Sequence, residues 1–192
     1  EFYADYDHPI IIDKSRGWPI QSIMEVMEKV LGNKPKIIAT VRSIPDCMAS
    51  FVRIAKPKNL DNFIYSEPLS TYLKTTYLSL QQGYVFAPEC FCLVEYEDLI
   101  ADPKSQLDRI HAFLGLEDFE YNFTAIDGTS VQENDIKIHG YAGLHDIKPS
   151  LAKQHNENPQ DVLKHHYSTF CQPEFWLDKP RTIPEIHDLD LQ

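Results

Sequence analysis

Arg42, Ser50 and Lys14 are the residues around which chemistry can be built. Arg42 ends the apolar run Lys36-Ile-Ile-Ala-Thr-Val41 and stands directly ahead of a helical stretch opening at Ser43. Ser50 follows about two turns into that stretch, and Asp46 and Ser50, four residues apart, share a helix face. A guanidinium at a helix mouth and a hydroxyl on the adjoining face can grip one phosphate from two sides. Arginine suits this because its planar donors match phosphate oxygens in pairs, and a helix N-terminus adds partial positive charge and free N–H groups. Lys14 lies just past a second apolar run, Pro9-Ile-Ile-Ile-Asp13. From Lys14 to Lys58 nine basic residues face three acidic ones, half of the 18 Lys and Arg in under a quarter of the 192-residue chain. The competing reading of such a segment is a solvated basic surface, and composition leaves both open.

The thiols and imidazoles offer less. Four cysteines, Cys47, Cys90, Cys92 and Cys171, make no disulfide framework in a chain of this length. Cys90 and Cys92 sit in an apolar run and are expected as small core residues. His165 and His166 are adjacent and cannot share a helix face, and His139 and His145 are six apart in a glycine-bearing loop. None has zinc-finger spacing, so no metal is expected.

The elements that must position these groups are legible from periodicity. Pro9–Asp13, Lys36–Val41 and Phe91–Val94 are short apolar runs of the kind that form buried strands. Pro19 opens a helix with Ile20, Ile23, Met24, Met27, Val30 and Leu31 at helical spacing, stopped by Gly32-Asn33. A helix begins at Ser43, with Asp46 at the capping-box position and Pro45 tolerated in the first turn. Lys56–Asn62 reads as a loop. Leu69, Tyr72, Leu73, Thr76, Leu80 and Tyr84 trace a long helix ending near Pro88, and Pro103 starts another that Gly115 closes. Residues 124–150 read as a loop, and residues 173–192 as an extended acidic tail. Strands alternating with helices predict an α/β fold with a parallel sheet, in a single domain over residues 1–192. In such sheets ligands bind beyond the carboxyl ends of the strands, where Lys14 and Arg42 fall.

The net charge of −11, from 18 basic and 29 acidic residues, argues against nucleic acid as a partner. No apolar run reaches the roughly 18 residues of a membrane helix. The sequence starts Glu1-Phe2-Tyr3 without Met or a signal-peptide pattern, and we expect it to open inside a longer, cytoplasmic protein. Asn122-Phe-Thr124 fits an N-glycosylation triplet and is read as accidental.

The segment Lys36-Ile-Ile-Ala-Thr-Val-Arg-Ser-Ile-Pro-Asp-Cys-Met-Ala-Ser50 resembles the 3′-phosphate motif of the sulfotransferases that use 3′-phosphoadenosine 5′-phosphosulfate (PAPS). Val94-Glu-Tyr-Glu-Asp-Leu99, Asp102-Pro103 and Phe113-Leu-Gly-Leu116 are similar to the stretch that follows in that family, and Ile12-Asp-Lys-Ser-Arg-Gly-Trp18 sits where the family places a basic residue at its reaction centre. Gly140-Tyr-Ala-Gly-Leu-His-Asp-Ile-Lys-Pro149 is similar to a late loop that closes over the nucleotide. The resemblance covers about residues 10–150. It implies a P-loop-like parallel sheet flanked by helices, with Arg42 and Ser50 on the 3′-phosphate, Tyr96 at the adenine, Lys148 in the closing loop, and Lys14 neutralising charge on the bridging oxygen.

Two departures accompany the likeness. The Gly/Ser/Thr-rich loop that cradles the 5′-phosphosulfate in that family is absent from this sequence, and we expect the strand, loop and helix that carry it to lie upstream of Glu1. Where many members place a histidine base two residues after the lysine, this chain has Arg16, which cannot take a proton at neutral pH. The base then comes from His145, His8, a carboxylate or an upstream residue. Arg16 either contacts an anionic substrate or pairs with a carboxylate. The expected activity is sulfuryl transfer from PAPS, releasing 3′-phosphoadenosine 5′-phosphate (PAP), to a hydroxyl or amine on a small-molecule, carbohydrate or peptide acceptor. The alternative is a nucleotide- or anion-binding interaction module without catalysis. A P-loop kinase is disfavoured because no Gly-x-x-x-x-Gly-Lys-Ser/Thr occurs. Variable loops at 56–66 and 124–150 are the expected acceptor walls, and oligomeric state is not readable.

Overall fold

The computed structural model describes residues 10–65, 69–126, 147–151 and 157–177. It divides into two compact units, one formed by Glu1–Ile37 with Thr71–Phe91 and the other by Ile38–Ser70 with Cys92–Gln192.

The first unit carries α1 (Gln21–Leu31), most of the long helix α4 (Leu69–Phe86) and a 3-10 turn, Pro88–Cys90. α1 stops where the periodicity says it should: Gly32 takes φ 73°, a left-handed conformation that costs glycine no Cβ clash, and returns its N–H to the Glu28 carbonyl. Its packing lies in the N-terminal half, where Met24 is buried, whereas Ile20, Val30 and Leu31 from the expected apolar face stay exposed. The Pro19 carbonyl passes so close to Gly83 on α4 that a Cβ there would lie 2.1 Å from its oxygen. Tyr84 meets Phe91 edge to face at 5.9 Å. An ion pair joins Lys34 to Glu89 on the surface, where such pairs add little. Cys90 is buried as expected, and burial raises its thiol pKa.

The strand expected over Pro9–Asp13 does not form within its described residues. Residues 10–13 are irregular, and Ile10, Ile11 and Ile12 are exposed, Ile12 to 85%. A β-branched run becomes a strand only when an edge pairs with it, and the sheet among the described residues consists of β1 (Ile37–Val41) and β2 (Phe91–Glu95) bonded to each other.

The second unit holds nearly all of this small parallel sheet and the helices around it. Phe91, Cys92 and Val94 bury β2, whereas β1 buries Ile37 and Val41 and leaves Ile38 and Thr40 exposed, so the buried strand expected over Lys36–Val41 is open on one face. α2 (Ile44–Ala55) begins at Ser43, whose hydroxyl oxygen accepts the Asp46 N–H at 3.3 Å while its O–H donates to the Asp46 carboxylate. That reciprocal pairing occupies one orphan donor of the first turn, and Pro45 removes another. Met48 and Ala49 lose all solvent contact, and α2 packs against α7 (Pro159–Leu163) and α8 (Tyr167–Phe170), with a 3-10 turn, Lys164–His166, between them. β2 runs straight into α5 (Tyr96–Ala101) and then α6 (Pro103–Leu114), which Asp102 caps by accepting the Ser105 N–H at 3.1 Å. Arg109 ties α6 to β2 by donating to the Leu93 carbonyl. Buried His111 has one ring nitrogen 2.5 Å from the Glu117 carbonyl oxygen and the other 2.6 Å from the Tyr121 hydroxyl, which fastens the chain leaving α6.

Two stretches depart from the expectation. Only 56–59 of Lys56–Asn62 is a loop. Asn59 accepts the Asn62 N–H at 2.8 Å and starts α3 (Leu60–Tyr65), which buries Ile64. The helical turns α7 and α8 were not predicted at all, being five and four residues long and too short to show a period. In the expected loop at 124–150, Ile126 donates to the Pro149 carbonyl and Leu151 to that of Phe123; residues 127–146, with His139 and His145, lie outside the described residues. So do residues 178–192 of the expected tail, and its described start makes a turn closed by Leu177 N–H on the Glu174 carbonyl at 3.0 Å. Among the described residues no helix is long and apolar enough to cross a membrane.

Candidate functional site

The two parallel strands are neighbours in the sheet, and the next residue of each is a candidate from the sequence: Arg42 after Val41, and Tyr96 after Glu95. The Arg42 guanidinium carbon lies 4.3 Å from the centroid of the Tyr96 ring, a cation–π contact of about 0.5–2 kcal/mol. Its Nε donates to Glu97 Oε1 at 3.0 Å, and its Nη2 faces Asp46 Oδ1 at 3.5 Å. The side chain is 19% exposed. An aromatic face, the α5 carboxylate of Glu97 and the α2 carboxylate of Asp46 thus hold one guanidinium at the carboxyl edge of the sheet.

Ser50 is half-buried on α2, one turn beyond Asp46, about 6 Å along the axis at 1.5 Å per residue. Lys148 is exposed on the segment 147–151, which pairs through its backbone with 123–126. Lys14 belongs to the first unit; it too is exposed, its backbone N–H bonded to the Asp13 carboxylate at 2.8 Å. The structure therefore brings Arg42 and Tyr96 into contact and shows Lys14 and Lys148 as exposed side chains on other segments. His8 and His145, candidates for the base, lie outside the described residues.

Beside the Arg42 environment opens a cavity of about 390 Å³ whose lining includes Ser43, Asp46, Glu95, Glu97, Tyr167 and Glu174. Its four carboxylates are unequal. Burial holds the Glu95 pKa above the usual carboxylate range, assisted by the charges of Asp98 and Glu97. Burial also raises Glu174, and Glu95, Glu97 and Asp46 push it further. On the adjoining turn of α2, burial lifts the Cys47 thiol to about 11 against the opposing pull of Arg42, so this thiol stays protonated at neutral pH. A carboxylate with a raised pKa is suited to take a proton.

Sequence reasoning missed this acidic wall. Glu95 and Glu97 flank the Tyr96 it singled out and were readable as an acidic run at a strand end, whereas Glu174 arrives from a turn with no sequence signature. His165 and His166 cannot share one face of a helix, but they lie on the tight turn at 164–166, where both rings reach the carboxylate of Asp61, whose pKa is lowered chiefly by its bond to His166.

No curated protein and no solved structure was found to match the chain. A profile described as the sulfotransferase family matches residues 20–121, more than half of the 192 residues and a span that includes Arg42, Ser50 and Tyr96. A parallel sheet whose carboxyl edge presents an arginine against a tyrosine, within a stretch carrying that profile, leads to one assignment: this chain belongs to the sulfotransferase family.

Proposed function

We propose that the chain moves a sulfuryl group from PAPS to a hydroxyl or amine of an acceptor, on a P-loop-like parallel sheet flanked by helices. The observation that carries this reading is the Arg42–Tyr96 pair at the ends of adjacent parallel strands, a cation for the 3′-phosphate beside a ring for the adenine. Ser50 supplies a hydroxyl to the same phosphate from the next turn of α2. Lys14 neutralises the charge that grows on the 5′-phosphate oxygen as its bond to sulfur breaks, and Lys148 assists in holding the nucleotide. The acceptor oxygen or nitrogen forms the new bond to sulfur as PAP leaves, and its proton passes to a carboxylate of the acidic cavity. Glu174 and Glu95 are the best suited, because burial already makes them better bases than free carboxylates.

One observation favours a second reading, an anion-binding module without catalysis. Arg42 is already engaged by Glu97 and Asp46, so an incoming phosphate competes with two carboxylates for its charge. Calorimetry with PAP, followed by transfer of labelled sulfate from PAPS to a panel of hydroxyl and amine acceptors, separates the readings. Binding with transfer is the expected result, binding without transfer selects the module, and no PAP binding refutes transfer from PAPS and removes PAP as the module's anion.

A further inference from the structure

We propose that Asp61, His165 and His166 form a binding site for a divalent transition-metal ion of the zinc class. The proposal is independent of sulfuryl transfer. The ligand atoms offered by the three residues all lie within 4.8 Å of one another. His166 Nε2 stands 2.5 Å from Asp61 Oδ1, and His165 Nε2 stands 3.4 Å from the same oxygen. Metal–ligand bonds of about 2.0–2.2 Å at a tetrahedral ion put neighbouring ligand atoms about 3.3–3.6 Å apart. The Asp61–His165 separation already has that value, and the closer Asp61–His166 pair has to open by roughly 1 Å.

The donor set suits the ion. Two imidazoles and one carboxylate are the borderline ligands that zinc takes, and three protein ligands leave a fourth position for water. The cluster is also built with one fixed and two adjustable arms. His166 is 3% exposed and wedged edge to face against Tyr65 at 5.4 Å, whereas Asp61 and His165 are 57% and 71% exposed and free to adjust. The two imidazoles lie 3.9 Å apart between centroids on a 3-10 turn that follows Lys164, which takes φ 54°. Asp61 comes from α3 and the histidines from a turn about a hundred residues later, so an ion here would clip α3 to the turn that leads into α8.

The test uses the full chain, stripped with a chelator and titrated with Zn²⁺ alone by calorimetry, with Co²⁺ as a spectroscopic probe. His165→Ala and Asp61→Ala are the informative variants because both side chains are exposed; His166→Ala removes a buried group and is expected to disturb folding. One ion per chain, a tetrahedral Co²⁺ absorption band, and affinity reduced roughly tenfold or more in each variant are expected. Cys171→Ser, which removes the exposed thiol, is expected to leave binding unchanged. Failure to bind at millimolar Zn²⁺, undiminished affinity in both exposed-ligand variants, or loss of binding in Cys171→Ser would each overturn the site.

Discussion

Arg42 and Glu97 make opposite predictions for one ligand. Removing the guanidinium with Arg42→Ala strips a charged donor from the proposed 3′-phosphate site. Hydrogen bonds to charged groups contribute about 1.5–3 kcal/mol, so a loss of about 2 kcal/mol is expected, or about thirtyfold in the Kd for PAP. Glu97→Gln acts on the competitor. Its carboxylate holds Arg42 Nε at 3.0 Å, a separation worth about 5.5 kcal/mol by Coulomb's law at an effective dielectric of 20. With Glu97 47% exposed, water and salt reduce the pair to at most about 1 kcal/mol. A phosphate that takes over Arg42 forfeits that energy in the wild type and not in the variant. Glu97→Gln is therefore expected to tighten PAP binding by up to about fivefold. Calorimetry at low ionic strength reads both effects, with circular dichroism to show that each variant folds. The gain in Glu97→Gln should shrink as salt is added, since it is a surface charge effect. Unchanged affinity in Arg42→Ala, or weaker binding in Glu97→Gln, means that the phosphate does not meet this guanidinium.

Three further substitutions test the fold that carries the site. Gly83→Ala forces a Cβ to within 2.1 Å of the Pro19 carbonyl oxygen and should cost about 1–3 kcal/mol in urea unfolding; a neutral result would disprove the close approach of those two segments. Met48→Ala empties a fully buried position on α2 and should cost about 2–5 kcal/mol, read in the same assay; a loss under 1 kcal/mol would mean that the face toward α7 is loosely packed. Glu174→Gln probes the acidic cavity through pH. The folded-state pKa of Glu174 lies above its ordinary value of 4.5, so the folded state binds the proton more tightly than the unfolded state does. Its contribution is then most favourable below 4.5 and is lost as the pH rises through the raised folded value. The glutamine variant should melt above the wild type at neutral pH and converge with it below 4.5, and the reverse order would contradict buried, mutually repelling carboxylates.

Local signals were legible wherever one residue type fixes one geometry. Gly32 and Gly115 end their helices at φ 73° and 75°, and Ser43 caps α2 with Asp46 at the anticipated spacing. β1 and β2 were legible as short apolar β-branched runs between polar flanks, and β2 is covered along most of its length whereas β1 leaves Ile38 and Thr40 exposed. The same rule misread Ile10–Ile12, whose composition says strand and whose fate depends on a pairing edge that a local pattern does not contain. The short turns at 159–170 were hidden for the opposite reason: they are held by docking on α2, a long-range contact with no period to read. At the site, spacing pointed to Arg42 and Tyr96 as separate candidates, but their stacking depends on β1 and β2 being adjacent and parallel. Glu97 follows the aromatic directly in the sequence, but its contact with Arg42 depends on the same strand pairing that stacks the guanidinium on Tyr96.

In the donor site proposed above, the carboxylates around Arg42 would set the selectivity. A solitary guanidinium at a sheet edge would collect any anion, whereas this one is stacked on Tyr96 and bonded to Glu97 and Asp46 before a ligand arrives. Asp46 is itself bound by the Ser43 hydroxyl and fixed to the first turn of α2, so it is the harder partner to displace. Glu97 is the exposed partner and the one that yields. A monovalent anion offers no more charge than the carboxylate it replaces and gains nothing by the exchange. A phosphate monoester carries nearly two charges and three acceptor oxygens, and can take Arg42 and the Ser50 hydroxyl together. The acidic cavity adjoining Arg42 works in the same sense, since its charge repels a phosphate that strays from the guanidinium while Glu95 and Glu174 stay available to a hydroxyl or amine. An overall charge of −11 is compatible with the proposed anionic donor on these terms, because one oriented cation would set where that donor binds and the surrounding acids would exclude it elsewhere.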